Sequence, residues 1–177
     1  MEKLTRIVFT GPESCGKTTL SEMLSEKLQL PLVTEFARQY IVELLEQGRK
    51  YALQDVLYMG KMQAETERLT LNQTSLPIVC DTDLTVICIW LKFVFGKRER
   101  SYEAEIKRLV PFTHYFLCYP DLPWEPDPQR EHPENRMELF EMYENLLKGL
   151  EANYSVVRGG MDERFDFCVE VVERLRK

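Results

Sequence analysis

Residues 11–18 have the types and spacing to hold a phosphate chain. They read Gly11-Pro12-Glu13-Ser14-Cys15-Gly16-Lys17-Thr18, the Gly-x-x-x-x-Gly-Lys-Thr pattern of a Walker A loop. Glycines at both ends let the backbone curl until several N–H groups point inward at phosphate oxygens. A helix that opens on this loop adds the partial positive charge of its N-terminus. Lys17 then reaches the β- and γ-phosphates of ATP, and the Thr18 hydroxyl is a ligand for Mg²⁺, with Thr19 next in the run. Asp81 ends an apolar run, Pro77-Ile78-Val79-Cys80, which is where a second, metal-holding acid sits beside such a loop. Asp83 follows two positions on, where it either orients an acceptor or caps the next helix.

Elements must place these residues. Arg6–Thr10 reads as a buried strand leading straight into the loop, and Lys17–Leu28 carries apolar residues at helical spacing. The same reading predicts strands at Pro31–Thr34, Pro77–Asp81, Tyr115–Cys118 and Tyr154–Val157. It predicts helices at Phe36–Gln47, Leu53–Asn72, Leu84–Phe95, Arg136–Leu150 and Arg164–Leu175, and a solvated helix face across Lys97–Arg108. Strands that alternate with helices make an α/β fold: a P-loop NTPase sandwich with a five-stranded parallel sheet covered on both faces. The whole chain, 1–177, reads as a single domain without repeats or linkers. Tyr119–Asn135 holds five of the nine prolines, so the segment at about 119–136 is expected to be a lid.

The acceptor chemistry comes from fewer residues. No Asn-Lys-x-Asp guanine-reading motif and no Asp-x-x-Gly switch occurs, which sets a Ras-like GTPase aside. Phosphoryl transfer to a hydroxyl needs water excluded and cations around the γ-phosphate. Arg130 and Arg136 on the proline-rich segment would supply the cations; otherwise they pair with Glu131 and Glu134 on an ordinary surface loop. Glu35 follows the second strand, at the edge that faces an acceptor, and a carboxylate there can take a hydroxyl proton. Its alternative role is a helix-start acid. Arg38, one turn on, would pair with Glu35 or touch substrate.

With 44% hydrophobic and 29% charged residues, the chain is neither disordered nor membrane-spanning in composition. The N-terminal run from Met1 is too short for a signal peptide. A net charge of −6 argues against a mainly electrostatic nucleic-acid binder. The five cysteines are scattered without a Cys-x-x-Cys pair and there are two histidines, which suits a reducing, cytoplasmic setting and leaves a zinc site undersupplied. No motif encodes an oligomeric state.

Several segments together resemble a known family. Gly11-Pro-Glu-Ser-Cys-Gly-Lys-Thr-Thr19, Glu35-Phe-Ala-Arg38-Gln-Tyr40, Asp81-Thr-Asp83, Pro123-Trp124 with Asp127 and Arg130, and Glu163-Arg164-Phe165 occur in this order. The pattern is similar to the ribosylnicotinamide kinase domain of NadR-type proteins and covers nearly the whole chain. The resemblance implies ATP- and Mg²⁺-dependent phosphorylation of the 5′-hydroxyl of nicotinamide riboside. On it, Lys17 and the loop hold ATP, Thr18 and Asp81 hold the metal, and Glu35 or Asp83 is the base. Arg130 and Arg136 meet the phosphates, and the turn ending at Arg164 lies near adenine. Phe36, Tyr40, Tyr58 and Trp124 are candidates for an aromatic box around the pyridinium cation, or are packing residues. The adenylyltransferase motif His-x-Gly-His is absent from the chain, so neither adenylylation nor transcriptional repression is expected of it. The alternatives are a deoxynucleoside or nucleotide kinase and a non-catalytic ATP-binding regulatory module.

Overall fold

The computed structural model describes residues 3–176; Met1, Glu2 and Lys177 lie outside it. The strands β1 (Arg6–Thr10), β2 (Leu32–Val33), β3 (Ile78–Asp81), β4 (Thr113–Cys118) and β5 (Asn153–Val157) form one sheet in the order β2-β3-β1-β4-β5. Every pairing is parallel. β1 is central, with Phe9 beside Asp81 on one flank and Phe116 on the other. The chain runs from β1 out to the edge strand β2, comes back to β3 beside β1, and then crosses to β4 on the other flank. A crevice therefore opens where these strands end, the usual ligand site of such sheets.

The helices are α1 (Lys17–Leu28), α2 (Phe36–Glu46), α3 (Leu53–Asn72), α4 (Leu84–Phe95), α5 (Arg100–Leu109), α6 (Arg136–Gly149) and α7 (Met161–Leu175). Successive strand residues point to opposite faces, and both faces are apolar. Val8, Ile78, Cys80, Tyr115 and Leu117 pack under α4, α5 and α6. Ile7, Phe9, Val79, Phe116 and Cys118 pack under α1 and α7. A third cluster of Ala37, Val56, Met59, Ile87 and Leu91 binds α2, α3 and α4 together. The five cysteines are free and buried in these layers.

The five-stranded parallel sheet matches the sequence expectation, with boundary differences that have local causes. β4 begins at Thr113, ahead of the expected Tyr115, because Thr113 and His114 are themselves buried beside Arg6 and Ile7. α7 starts at Met161, a turn before the apolar spacing becomes visible. There the Glu163 carboxylate reaches back to accept from Gly160 N at 2.8 Å, the acid half of a capping box. The irregular 119–135 segment contains one short 3-10 turn, Pro133–Asn135. Among the described residues, no helix is long and apolar enough to cross a membrane.

Candidate active site

The phosphate loop is built between β1 and α1 and braced from below. Gly11 has φ +131°, and a Cβ there would lie 2.8 Å from the Cys118 carbonyl oxygen, so only glycine fits against β4. Gly16, at φ +80°, is the N-cap of α1, and no described side chain caps that helix. Its first-turn N–H groups thus remain available for an anion. Lys17 Nζ donates to Pro12 O at 2.6 Å. Burial opposes its charge, but Cys15, Glu35 and Asp81 together raise its pKa above the ordinary lysine value.

Asp81, at the C-terminal end of β3, is 2% exposed. Burial pushes its carboxyl up, while the facing Thr18 hydroxyl, Lys17 and Arg38 hold it down. Its Oδ1 has no hydrogen-bond partner among the described residues. A buried carboxylate oxygen without a donor, opposite a threonine hydroxyl at a phosphate loop, fits a hard divalent cation. Mg²⁺ asks for few protein ligands because it keeps waters and phosphate oxygens, and no cluster of three His, Cys, Asp or Glu occurs among the described residues.

Glu35 lines the same cleft from the start of α2. Its pKa rises to about 7, first because burial disfavours the carboxylate and second because Asp81 is close by; Lys17 and Arg38 oppose the rise. A carboxyl that titrates near neutrality in a cleft suits proton abstraction.

The 119–135 segment crosses the mouth and is fastened to the loop. The Glu13 carboxylate accepts from the backbone N–H groups of Glu131 and His132 at 3.0–3.2 Å. Ser14 Oγ accepts from Glu125 N at 2.9 Å and from Arg130 Nη1 at 3.3 Å. Arg136 donates to both Ser14 O, at 2.8 Å, and Leu122 O, at 3.0 Å. On the far side Asp127 meets Arg38 at 3.3 Å, and Gln129 Nε2 donates to Arg38 O at 3.0 Å.

These contacts sort the residues that the sequence singled out. Gly11, Glu13, Ser14, Cys15, Gly16, Lys17, Thr18, Thr19, Glu35, Arg38 and Arg130 line one cleft. Asp83 does not face it. Its carboxylate points to the opposite side of β3, where it meets Arg6 at 3.1 Å, accepts from the Tyr115 hydroxyl at 3.2 Å and caps α4 through Thr85 N at 2.8 Å. Of the two roles open to Asp83, the geometry favours the cap. Arg164 is fully buried and holds backbone rather than a ligand. It donates to Cys15 O, Tyr119 O and Gly159 O at 2.7–3.0 Å and pairs with Asp121. Arg136 turns both terminal nitrogens to the carbonyls already named, while its buried Nε has no partner among the described residues. Arg38 pairs with Asp127 rather than with Glu35.

The four aromatics expected around the acceptor are not among the residues that line this cleft. Phe36, Tyr40 and Tyr58 pack on one another, with ring centroids 5.2–6.0 Å apart, at the α2–α3 junction. Trp124 lies under Arg136 at 5.9 Å. The aromatics that line the cleft are Trp90 and Phe93 of α4 and Tyr143 of α6. Within the apolar α4, Trp90 and Phe93 read as core, and only the packing of α4 in the fold separates the face that lines the cleft from the face that is buried. Gln63, missed for the same reason, is a polar residue inside α3 that is 3% exposed.

The strand order, the left-handed glycines and the loop opening on α1 define a P-loop NTPase. Residues 6–164 match the family model of the AAA domain, and the chain belongs to that family. No curated protein matches it in sequence. Among solved structures it is similar to a NadR protein in complex with NAD and AMP-PNP, with a TM-score of 0.67, 18% identity, 98% of this chain covered and 49% of that one. The chain thus spans about half the length of the NadR chains it matches. A thymidylate kinase from Ehrlichia chaffeensis is alike at a TM-score of 0.66 and 18% identity, over 99% of this chain and 100% of that one. A deoxyadenosine kinase from M. mycoides with bound dCTP follows at 0.60 and 14%, over 96% and 100%. At these identities the likeness is one of fold.

Proposed function

We propose that the protein is an ATP-dependent nucleoside kinase whose acceptor is nicotinamide riboside, phosphorylated at its 5′-hydroxyl to the mononucleotide. The observation that carries the kinase assignment is Glu35: a carboxyl titrating near 7 in the cleft that also holds Lys17 and the loop amides. A module that only bound nucleotide would have no use for a base there. The acceptor is argued from the motif set and from the NadR structures, one of which is a complex with NR. Trp90 and Phe93 line the same cleft as Glu35 and Glu131, and aromatic faces together with carboxylates suit a pyridinium ring.

In this mechanism the loop amides, the α1 N-terminus and Lys17 bind the phosphates and neutralise charge on the transferring group. Thr18 and Asp81 would hold Mg²⁺, which would supply further charge neutralisation to the phosphate chain. Glu35 takes the proton of the 5′-hydroxyl as its oxygen bonds to the γ-phosphorus; the bond to the β-phosphate oxygen breaks and ADP leaves. The 119–135 segment acts as the lid. It excludes water that would otherwise accept the phosphoryl group, and it brings Arg130 to the loop.

A deoxynucleoside or nucleotide acceptor is the second reading, favoured by the likeness to thymidylate and deoxyadenosine kinases. Phosphoryl transfer from ATP to nicotinamide riboside, thymidine, deoxyadenosine and thymidylate decides between them. The highest kcat/KM for nicotinamide riboside supports the first proposal, and a higher value for any other acceptor replaces it. Nucleotide binding without product for any acceptor would leave the regulatory module.

A further inference from the structure

We infer that Gln63 is a positioning residue, which holds the Glu35 end of α2 and the Asp81 end of β3 at a fixed separation across the floor of the cleft. The inference rests on the kinase reading of the site. Four observations carry it.

Glu35 is the N-cap of α2, yet its side chain makes no capping bond. The acid that usually caps a helix is the shorter Asp, whose oxygen reaches the N2 or N3 amide; the longer Glu35 side chain lines the cleft instead. The orphan donor at the start of the helix is satisfied differently: Phe36 N donates to Gln63 Oε1 at 2.9 Å. Gln63 thus ties down the first amide of α2 from outside the helix, directly after Glu35, whose carboxylate lines the cleft.

The other half of the same amide faces β3. Gln63 Nε2 lies 3.5 Å from Thr82 O, the carbonyl directly after Asp81. Thr82 is a non-glycine residue at φ +71° and is 2% exposed. Such a backbone persists only where its surroundings hold it, and Gln63 is one of the groups that do.

Gln63 is itself tied down. Nε2 also donates to Glu67 Oε1 at 3.3 Å, one turn along α3. Glu67 pairs with the buried guanidinium of Arg6 on β1. The amide therefore cannot rotate freely, and its position is referred to the central strand. A hydrophobic residue of the same length would fill the space and provide none of these bonds.

The test is a double-mutant cycle in the full chain. Gln63→Met keeps the volume and removes the donor and the acceptor. It should lower kcat about tenfold while the Kd for a non-hydrolysable ATP analogue, measured by calorimetry, stays within about twofold. In a Glu35→Gln background the same change should cost markedly less, because the part that acts through Glu35 is already lost and only the part that acts through the Asp81 end remains. Equal losses in both backgrounds would mean general loosening of the fold and would overturn the proposal, as would a Gln63→Met kcat within about twofold of the parent. A measurement on the unmodified protein decides the matter if the variant does not fold. The Phe36 amide should be protected from hydrogen exchange well beyond an open helix N-terminus, and exchange at the unprotected rate would refute the contact. A parent protein with no phosphoryl transfer would sink the kinase reading alone, and Phe36 exchange would still report on Gln63.

Discussion

Glu35 carries the most direct consequence of the site chemistry. A general base must be ionised, so turnover should rise with pH and level off above the base's pKa. With Glu35 at about 7, kcat/KM is expected to follow an acid limb centred near 7, with about a tenth of the plateau left one unit below. A limb near 4.5 would remove Glu35 from the role. Glu35→Gln should lower kcat by about 10²–10⁴ and leave nucleotide affinity nearly intact. Lys17→Ala should abolish transfer and weaken nucleotide binding as well. Stability moves the opposite way with pH. A carboxyl raised from 4.5 to about 7 keeps its proton in the folded state after the unfolded chain has lost it. Its burial therefore begins to cost stability above about 4.5, and the cost is complete above about 7. Urea midpoints of Glu35→Gln and parent should separate at pH 8, with the variant the more stable, and converge at pH 4. The phosphate loop was legible in the sequence because its chemistry lies within residues 11–18. Asp83 was not, since the side of β3 it faces is decided by Arg6, 77 positions away in the chain. Trp90, Phe93 and Gln63 escaped because spacing along a helix marks a buried face without saying what lies opposite.

Elements make a second set of expectations. Gly60 lies inside α3, where alanine would favour the helix by about 1 kcal/mol. A Cβ there would come within 2.6 Å of the Tyr102 ring and 2.9 Å of Ile87. Overpacking of that kind costs about 1–3 kcal/mol, so Gly60→Ala should lower the melting temperature rather than raise it. The 119–135 segment offers a contact that can be removed without touching its own sequence. Glu13 holds the N–H groups of Glu131 and His132. Glu13→Ala should leave the sheet intact and make 119–135 several-fold more open to limited proteolysis. An unchanged cleavage rate would show that Ser14, Arg136 and the Arg38–Asp127 pair suffice. Most elements could be read from apolar spacing, and α4 was legible to the residue. The starts of β4 and α7 could not, because buried polar residues and a capping acid carry no hydrophobic period.

For the molecule as a whole, nucleotide binding and folding are linked. At about 100 times its Kd, an ATP analogue adds about 2.7 kcal/mol to the folded state. For a chain of this size that corresponds to a rise of roughly 5–11 °C in melting temperature; Lys17→Ala should lose it. One brace gives the linkage an unusual route. Arg164 on α7 holds the carbonyl of Cys15 at 3.0 Å across 149 positions of chain, and it pairs with Asp121. Substituting it leaves buried acceptors without donors, a loss of about 3–5 kcal/mol by the usual scale for broken buried pairs. During synthesis the phosphate loop leaves the ribosome well before its brace, 149 positions further along the chain. A nascent chain stopped before residue 160 would hold every loop residue and all five strands and still lack the support that shapes the loop. Nucleotide added to stalled ribosomes should therefore protect the chain only once Arg164 has emerged.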